Sequence, residues 1–210
     1  MSGIRQKKKE ETRRAILQAA IRLFSEKGYE RTSVEDLARA AGIGKGTIYG
    51  YFRDKSEVFL AFCEEEIDAV FAALAKRSDP GAPLLEKLMT LFMTQFRFVT
   101  ENREFGRHFV REMAFPHLAG SEKSRDLDAR YLSAVGKLLE EGRQRGELRD
   151  GIDPFLATVH FYALYLVALS GWYTGYVATE EEVAASLRSL FDQTLLGLGR
   201  NPARAEFLSP

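Results

Sequence analysis

Along almost the whole chain apolar residues return at spacings of three and four, the period of a helix with one buried face. Between Glu11 and Lys27 the residues Ile16, Ala20, Leu23 and Phe24 fall on one side with charges opposite, and Gly28 follows. A glycine there suits the left-handed cap that ends many helices. The same pattern predicts further helices at about 55–77, 83–100, 105–116, 122–145, 154–176 and 180–199. The breaks between them are specific: Asp79-Pro80-Gly81 reads as a turn, Pro116 as a breaker, and 146–153 as a polar connection ending in Asp153-Pro154. Asp before Pro is an N-cap followed by proline at the first helical position. No run of alternating β-branched residues flanks a hairpin dipeptide, and Asp150-Gly151 lies between helical patterns. The expected fold is all-α, a helical bundle. The tail at 201–210 reads as loosely held.

Composition narrows the class. The chain has 210 residues, 45% hydrophobic and 29% charged, with six prolines. These are ordinary globular values, enough for one large domain or two small ones. Thirty basic and thirty acidic residues cancel, yet residues 1–60 hold 13 basic against 8 acidic while 61–210 hold 17 against 22. Positive charge is concentrated at the N-terminal end. The one cysteine, Cys63, cannot form an internal disulfide, and no signal peptide precedes the first charges, so a reducing cytoplasm is expected. One segment competes with that reading, because 155–179 carries no Asp, Glu, Lys or Arg over 25 residues. That length can cross a bilayer. It also holds Thr158, His160, Ser170, Thr174 and two glycines, and a helix apolar on all sides is equally expected between subunits.

The strongest signal lies at 32–52. Thr32 with Glu35 is expected to form a capping box that starts a short helix with Val34, Leu37, Ala38 and Ala41 inside. Gly42 stops it, Ile43 turns inward, and a second short helix begins at about Lys45 with Ile48 and Phe52 on its buried side. Two helices joined by a short glycine-containing turn form a helix-turn-helix. The second would enter the major groove. It would expose Lys45, Gly46, Thr47, Tyr49 and Gly50, a cation, a hydroxyl, a phenol and two positions where backbone can approach DNA closely. An ordinary αα-hairpin is the competing reading. Against it stand the local positive charge and the convergence of Lys45, Thr47, Tyr49, Tyr51 and Lys55 within eleven residues.

Residues 12–59 closely resemble the N-terminal domain of the TetR/AcrR family of bacterial transcriptional regulators. The resemblance runs from Arg14-Ala15-Ile16-Leu17 and Phe24-Ser25-Glu26-Lys27-Gly28-Tyr29 through Leu37-Ala38, Ala41-Gly42-Ile43 and Lys45-Gly46-Thr47-Ile48-Tyr49 to Tyr51-Phe52 and Lys55. It implies an all-helical homodimer of about nine helices per subunit, with a DNA-binding domain (1–54) and a larger effector-binding and dimerisation domain (55–210). It further implies that Thr32 and Ser33 contact phosphate and that Lys45 and Thr47 face bases or phosphate. Tyr49 and Tyr51 would bond the DNA backbone and Lys55 a phosphate. Two positions depart from the family pattern: Gly44 replaces a frequent Ser or Thr cap, and Gly50 a bulkier residue.

The rest of the chain resembles the family more weakly. Gly142, Gly146-Glu147-Leu148-Arg149 and Asp153-Pro154 look like the turn before its first dimer helix. On that reading 154–176 and 180–199 pair with their symmetry mates, which accounts for the uncharged run without a membrane. Upstream lie many aromatics. Each alone is best read as core, but together they exceed what a core needs, and pockets in bundles are mostly apolar. The candidate effector site is Phe92, Phe96, Phe105, His108, Phe109, Met113, His160, Tyr165 and Trp172, with a small hydrophobic or aromatic ligand. Arg97, Arg107 and Arg111 either add polar contacts or stay on the surface. Histidines and cysteine lack metal-ligand spacing, and Gly42–Gly46 lacks that of a phosphate loop. No cofactor, metal or catalytic residue is expected. The sequence thus reads as a ligand-responsive repressor binding a palindromic operator. The rival is a helical small-molecule-binding or membrane-attached protein with a vestigial helix-turn-helix.

Overall fold

The computed structural model describes residues 2–77, 79–101, 103–114 and 122–198. Among these residues there are nine helices and no strand: α1 (Ser2–Lys27), α2 (Val34–Ala40), α3 (Lys45–Tyr49), α4 (Lys55–Arg77), α5 (Leu84–Glu101), α6 (Arg103–Ala114), α7 (Glu122–Gln144), α8 (Pro154–Thr174) and α9 (Glu180–Leu198). The all-α expectation holds. Its boundaries shift most at α1, which extends nine residues further toward the N-terminus than the apolar period indicated. Residues 3–10 are exposed, and the Lys, Arg, Gln and Glu among them are good helix formers that need no buried face. Pro116 and the tail at 201–210 lie outside the described residues.

The chain divides into two compact units, one within 1–69 and 98–127, the other within 70–97 and 128–210. The core of the first is built from Ile16, Leu17, Ala20 and Phe24 of α1, Leu37 and Ala38 of α2, and Ile48 of α3. Phe52, Val58, Phe59 and Phe105 complete it, and all of these are buried. Gly28 ends α1 with φ +82° and donates its N–H to the Phe24 carbonyl at 3.0 Å. Cys63 is buried in α4.

In the second unit Leu84, Leu88 and Phe92 of α5, Val135 and Leu139 of α7, Phe161, Tyr165 and Leu169 of α8 and Val183, Leu187 and Phe191 of α9 form the core. The segment expected to precede a dimer helix has a further role, closing the start of α5. Glu147 accepts the Leu84 N–H at 2.6 Å, and Arg145 donates to the Ala82 carbonyl at 2.8 Å. A Cβ at Gly142 would lie 2.6 Å from Leu84 Cδ2, so any larger residue there displaces the Leu84 side chain. Asp153 caps α8 by accepting the Leu156 N–H at 3.0 Å, with Pro154 behind it, and Gly175 at φ +80° closes the helix. By length and composition α8 could cross a membrane, yet it carries a defined core face of Ala157, Thr158, Phe161, Tyr165, Ala168 and Leu169. Its other side exposes Phe155, Leu156 and Val167.

Candidate nucleic-acid interface

The interface is built outward from the cap of α2. Ser33 is the N-cap, with its Oγ accepting the Asp36 N–H at 3.1 Å while the Asp36 carboxylate accepts the Ser33 N–H at 3.0 Å. The capping box therefore lies one residue later than the expected Thr32/Glu35 pair. The cause is Thr32, whose hydroxyl turns inward and donates to the Gly28 carbonyl at 2.8 Å, leaving the residue 2% exposed. A side chain so enclosed holds the turn and does not present itself to phosphate. Lys27 donates to the same Asp36 carboxylate at 2.7 Å. Lys27 first, and the Ser33 hydrogen bonds after it, hold Asp36 well below the usual carboxylate range.

The turn follows the expected plan. Gly42 has φ +68°, and Ile43 donates its N–H to the Ala38 carbonyl at 3.0 Å. Next comes α3, a short helix entered at Gly44 without any side-chain cap. Ile48 is fully buried beneath it, and Phe52 is buried just beyond its end. Lys45, Gly46, Thr47 and Tyr49 are exposed on α3, and Tyr51 is half-buried. Anchoring from below by Ile48 leaves a helix of five residues offering backbone, hydroxyl, ammonium and phenol groups outward.

Two cations behave differently from one another. Lys45 forms an ion pair with Glu35 of α2. The hydrogen bond between them, followed by the attraction of the charges, raises the lysine's pKa; the same bond lowers that of the glutamate. The Lys55 ammonium donates to the Tyr29 carbonyl at 2.7 Å and lies 4.1 Å from the centre of the Tyr29 ring. Partial burial pushes its pKa down. Lys55 thus ties the α1–α2 loop to the start of α4, a structural task that the sequence pattern did not disclose. Glu35 also went unforeseen as a partner, since nothing local connects positions 35 and 45.

The candidate effector residues separate into groups. Phe105, His108 and Phe109 belong to the first unit. There His108 stacks on Tyr29 with centroids 3.8 Å apart, and Phe105 packs against Phe59 at 5.2 Å and Phe62 at 4.5 Å. Phe92, Phe96, Tyr165 and Trp172 belong to the second. Phe92 lies 5.0 Å from Tyr165, and Phe96 is 5.3 Å from Trp172. His160 is exposed and within 3.2 Å of the Thr194 hydroxyl. The Met113 side chain lies outside the described residues. Of the arginines, Arg97 pairs with Glu180 at 2.6 Å and Arg111 with Glu30 at 3.7 Å, both on the surface. The second unit also has a cavity of about 190 Å³ lined by Leu74, Ala82, Lys87, Thr90, Leu91, Ala134 and Leu138, none of them in the expected set. Among the described residues no group of His, Cys, Asp and Glu could hold a metal ion.

Comparison with known proteins agrees with this geometry. Residues 16–62 match the family model for bacterial regulatory proteins of the tetR family, and residues 85–189 match that for the tetracyclin repressor-like C-terminal domain. An HTH-type transcriptional repressor of Mycobacterium tuberculosis is 31% identical over 67% of this chain and 71% of its own length. The fatty acid metabolism regulator protein of Bacillus subtilis is 25% identical over 75% of this chain and 81% of its own. The crystal structure of the regulator FadR from Bacillus subtilis, in complex with stearoyl-CoA, has the same fold. Its TM-score is 0.70 at 22% identity, over 88% of this chain and 98% of that one. The chain belongs to the TetR family of bacterial regulatory proteins and is a helix-turn-helix regulator of transcription.

Proposed function

We propose that the chain is a cytoplasmic repressor that binds an inverted-repeat operator as a homodimer and is released by a small hydrophobic effector. The observation that carries this reading is the outer face of α3, where Lys45, Gly46, Thr47 and Tyr49 are exposed above the buried Ile48. Such a helix suits the major groove, with its N-terminal residues at base edges. Residues 1–54 carry DNA binding, and 55–210 carry effector binding and dimerisation. Ser33, Tyr49 and Tyr51 are assigned to the DNA backbone, and Lys45 and Thr47 to bases or phosphate. Support for a dimer through α8 and α9 comes from Phe155, Leu156 and Val167 on one and Leu196 on the other, which are 64%, 64%, 66% and 71% exposed. A symmetric protein interface also matches a palindromic site. The aromatic cluster of the second unit, together with relatives concerned with fatty acids, supports an apolar effector.

Fluorescence anisotropy with DNA from upstream of the protein's own gene, against unrelated DNA of equal length, tests the proposal. Specific sites are typically bound about 10³-fold or more tightly than non-specific DNA. Equal affinity for both would overturn operator recognition and favour the vestigial reading.

A further inference from the structure

In the second unit three buried polar atoms have no hydrogen-bond partner among the described residues: Gln95 Oε1 on α5, Tyr131 Oη on α7 and Tyr165 Oη on α8. The three residues are 4%, 2% and 1% exposed. Buried polar groups in folded proteins are nearly always paired, because losing water without a replacement is costly. Three orphans on three helices of one unit call for a common partner.

Two of the three flank a single ring, and the third lies on the helix that carries that ring. Phe92 precedes Gln95 by one helical turn on α5, and its centroid is 6.1 Å from that of Tyr131 and 5.0 Å from that of Tyr165. The electrostatic neighbours of Tyr131 are Tyr165 and Tyr162, and those of Tyr165 are Tyr162 and Tyr173. All are phenols; Tyr162 in turn feels the carboxylate of Asp128, whose residue is exposed. The charge bordering the cluster is therefore negative, and an anionic head group placed here would shed its hydration without meeting a counter-charge. Gln95 Oε1 only accepts hydrogen bonds, whereas each tyrosine hydroxyl can donate one and accept others. The complementary ligand therefore carries a donor for the amide oxygen and an acceptor for the phenols. One residue beyond Gln95 on α5, Phe96 packs edge-on to Trp172 in the same unit.

We propose that Gln95, Tyr131 and Tyr165 bind the head group of the effector, and that this effector is an uncharged molecule with an apolar body and one hydrogen-bonding group of the carboxamide or phenol kind. The proposal rests on the ligand-responsive reading and specifies its chemistry.

Isothermal titration calorimetry on the full chain, using 2-naphthamide, 2-naphthol, naphthalene and 2-naphthoate at neutral pH, tests it, with emission from the sole tryptophan, Trp172, as a second readout. The amide and the naphthol should bind on the order of tenfold more tightly than naphthalene, which pairs none of the orphan atoms, and than the naphthoate anion, which has no donor for the Gln95 oxygen and is desolvated without a counter-charge. The double variant Tyr131→Phe/Tyr165→Phe should lose that preference. Its thermal midpoint should hold or rise, because two unpaired hydroxyls are gone. Gln95→Met should selectively weaken the two donor-bearing probes, so the idea stays testable even if the double variant fails to fold. Absence of any preference for neutral polar heads in the wild-type chain overturns the proposal, as does its persistence in the folded variants; a buried water as sole partner would give the first result. DNA affinity measured in the same samples keeps the two readings apart. Selective probe binding with unchanged DNA affinity supports the head-group site and counts against its coupling to DNA.

Discussion

Glu35 occupies a place in the first unit that no local pattern reveals: freed from capping by the Ser33/Asp36 box, it reaches across to Lys45 on α3. On DNA that carboxylate faces a field of phosphates while also neutralising the lysine assigned to them. Glu35→Gln should therefore raise affinity for operator and unrelated DNA alike, several-fold at low salt. The slope of log K against log salt should steepen by about 0.9 for each phosphate that the released lysine neutralises. Unchanged affinity and slope would remove Lys45 from the residues that touch DNA. A second prediction concerns Asp36, which Lys27 and Ser33 hold below its ordinary pKa of 3.8 in the folded chain. A depressed carboxylate stabilises the fold above its unfolded pKa and loses that contribution as the pH falls toward the folded value. The difference in thermal midpoint between wild type and Asp36→Asn should be constant from neutral pH down to about pH 5, then shrink as acid is added. A difference that stays constant to the acid end would show that the ion pair and cap do not contribute.

At the scale of elements, the most demanding fit is between α7 and the start of α5. Gly142 lets the Leu84 side chain lie where a Cβ would stand, at 2.6 Å. Gly142→Ala improves local helix propensity yet inserts a methyl into a filled space, and overpacking of this kind costs about 1–3 kcal/mol. Leu84 is fully buried, so its side chain can yield only into the packed core around it. Chemical denaturation should show the loss, and the double variant Gly142→Ala/Leu84→Ala should be less destabilised than the two single losses added together. Strict additivity would mean that the two side chains do not meet. The helix α3 presents the opposite case. At five residues and without a side-chain cap it is too short to stand alone, and its place depends on Ile48 beneath it.

For the whole molecule, the proposed dimer rests on the apolar residues left exposed on α8 and α9. Val167 is 66% exposed and has the core residues Ala168 and Leu169 beside it. Val167→Glu should leave the thermal midpoint nearly unchanged, since the residue contributes little to the subunit core. It should reduce the mass seen by light scattering toward one subunit and weaken operator binding, because half a palindrome is then engaged at a time. A variant that keeps the full mass would place the interface elsewhere. Measuring the wild type without detergent tests the membrane reading of α8 in the same experiment.

What the sequence by itself determined is what local forces control. The 3.6-residue period, the Gly42 turn and the Asp153-Pro154 cap each depend on interactions within a few positions, so helices and the helix-turn-helix were legible, as was the α3 face from Lys45 to Tyr49. Where two local solutions were nearly equal, as between Thr32 and Ser33 for the cap of α2, packing chose: Thr32 was drawn inward by the carbonyls of Gly28 and, in α1, of Leu23. Tertiary structure alone decided the rest. Lys55 and the Tyr29 carbonyl are 26 positions apart in sequence, and the aromatic set divided between two units because each ring follows the helix face that carries it. Gln95, Tyr131 and Tyr165, buried without partners among the described residues, stand on three different helices. A side chain's period tells which face it shares, but not which other face it will meet, since that is set by how helices pack over long separations.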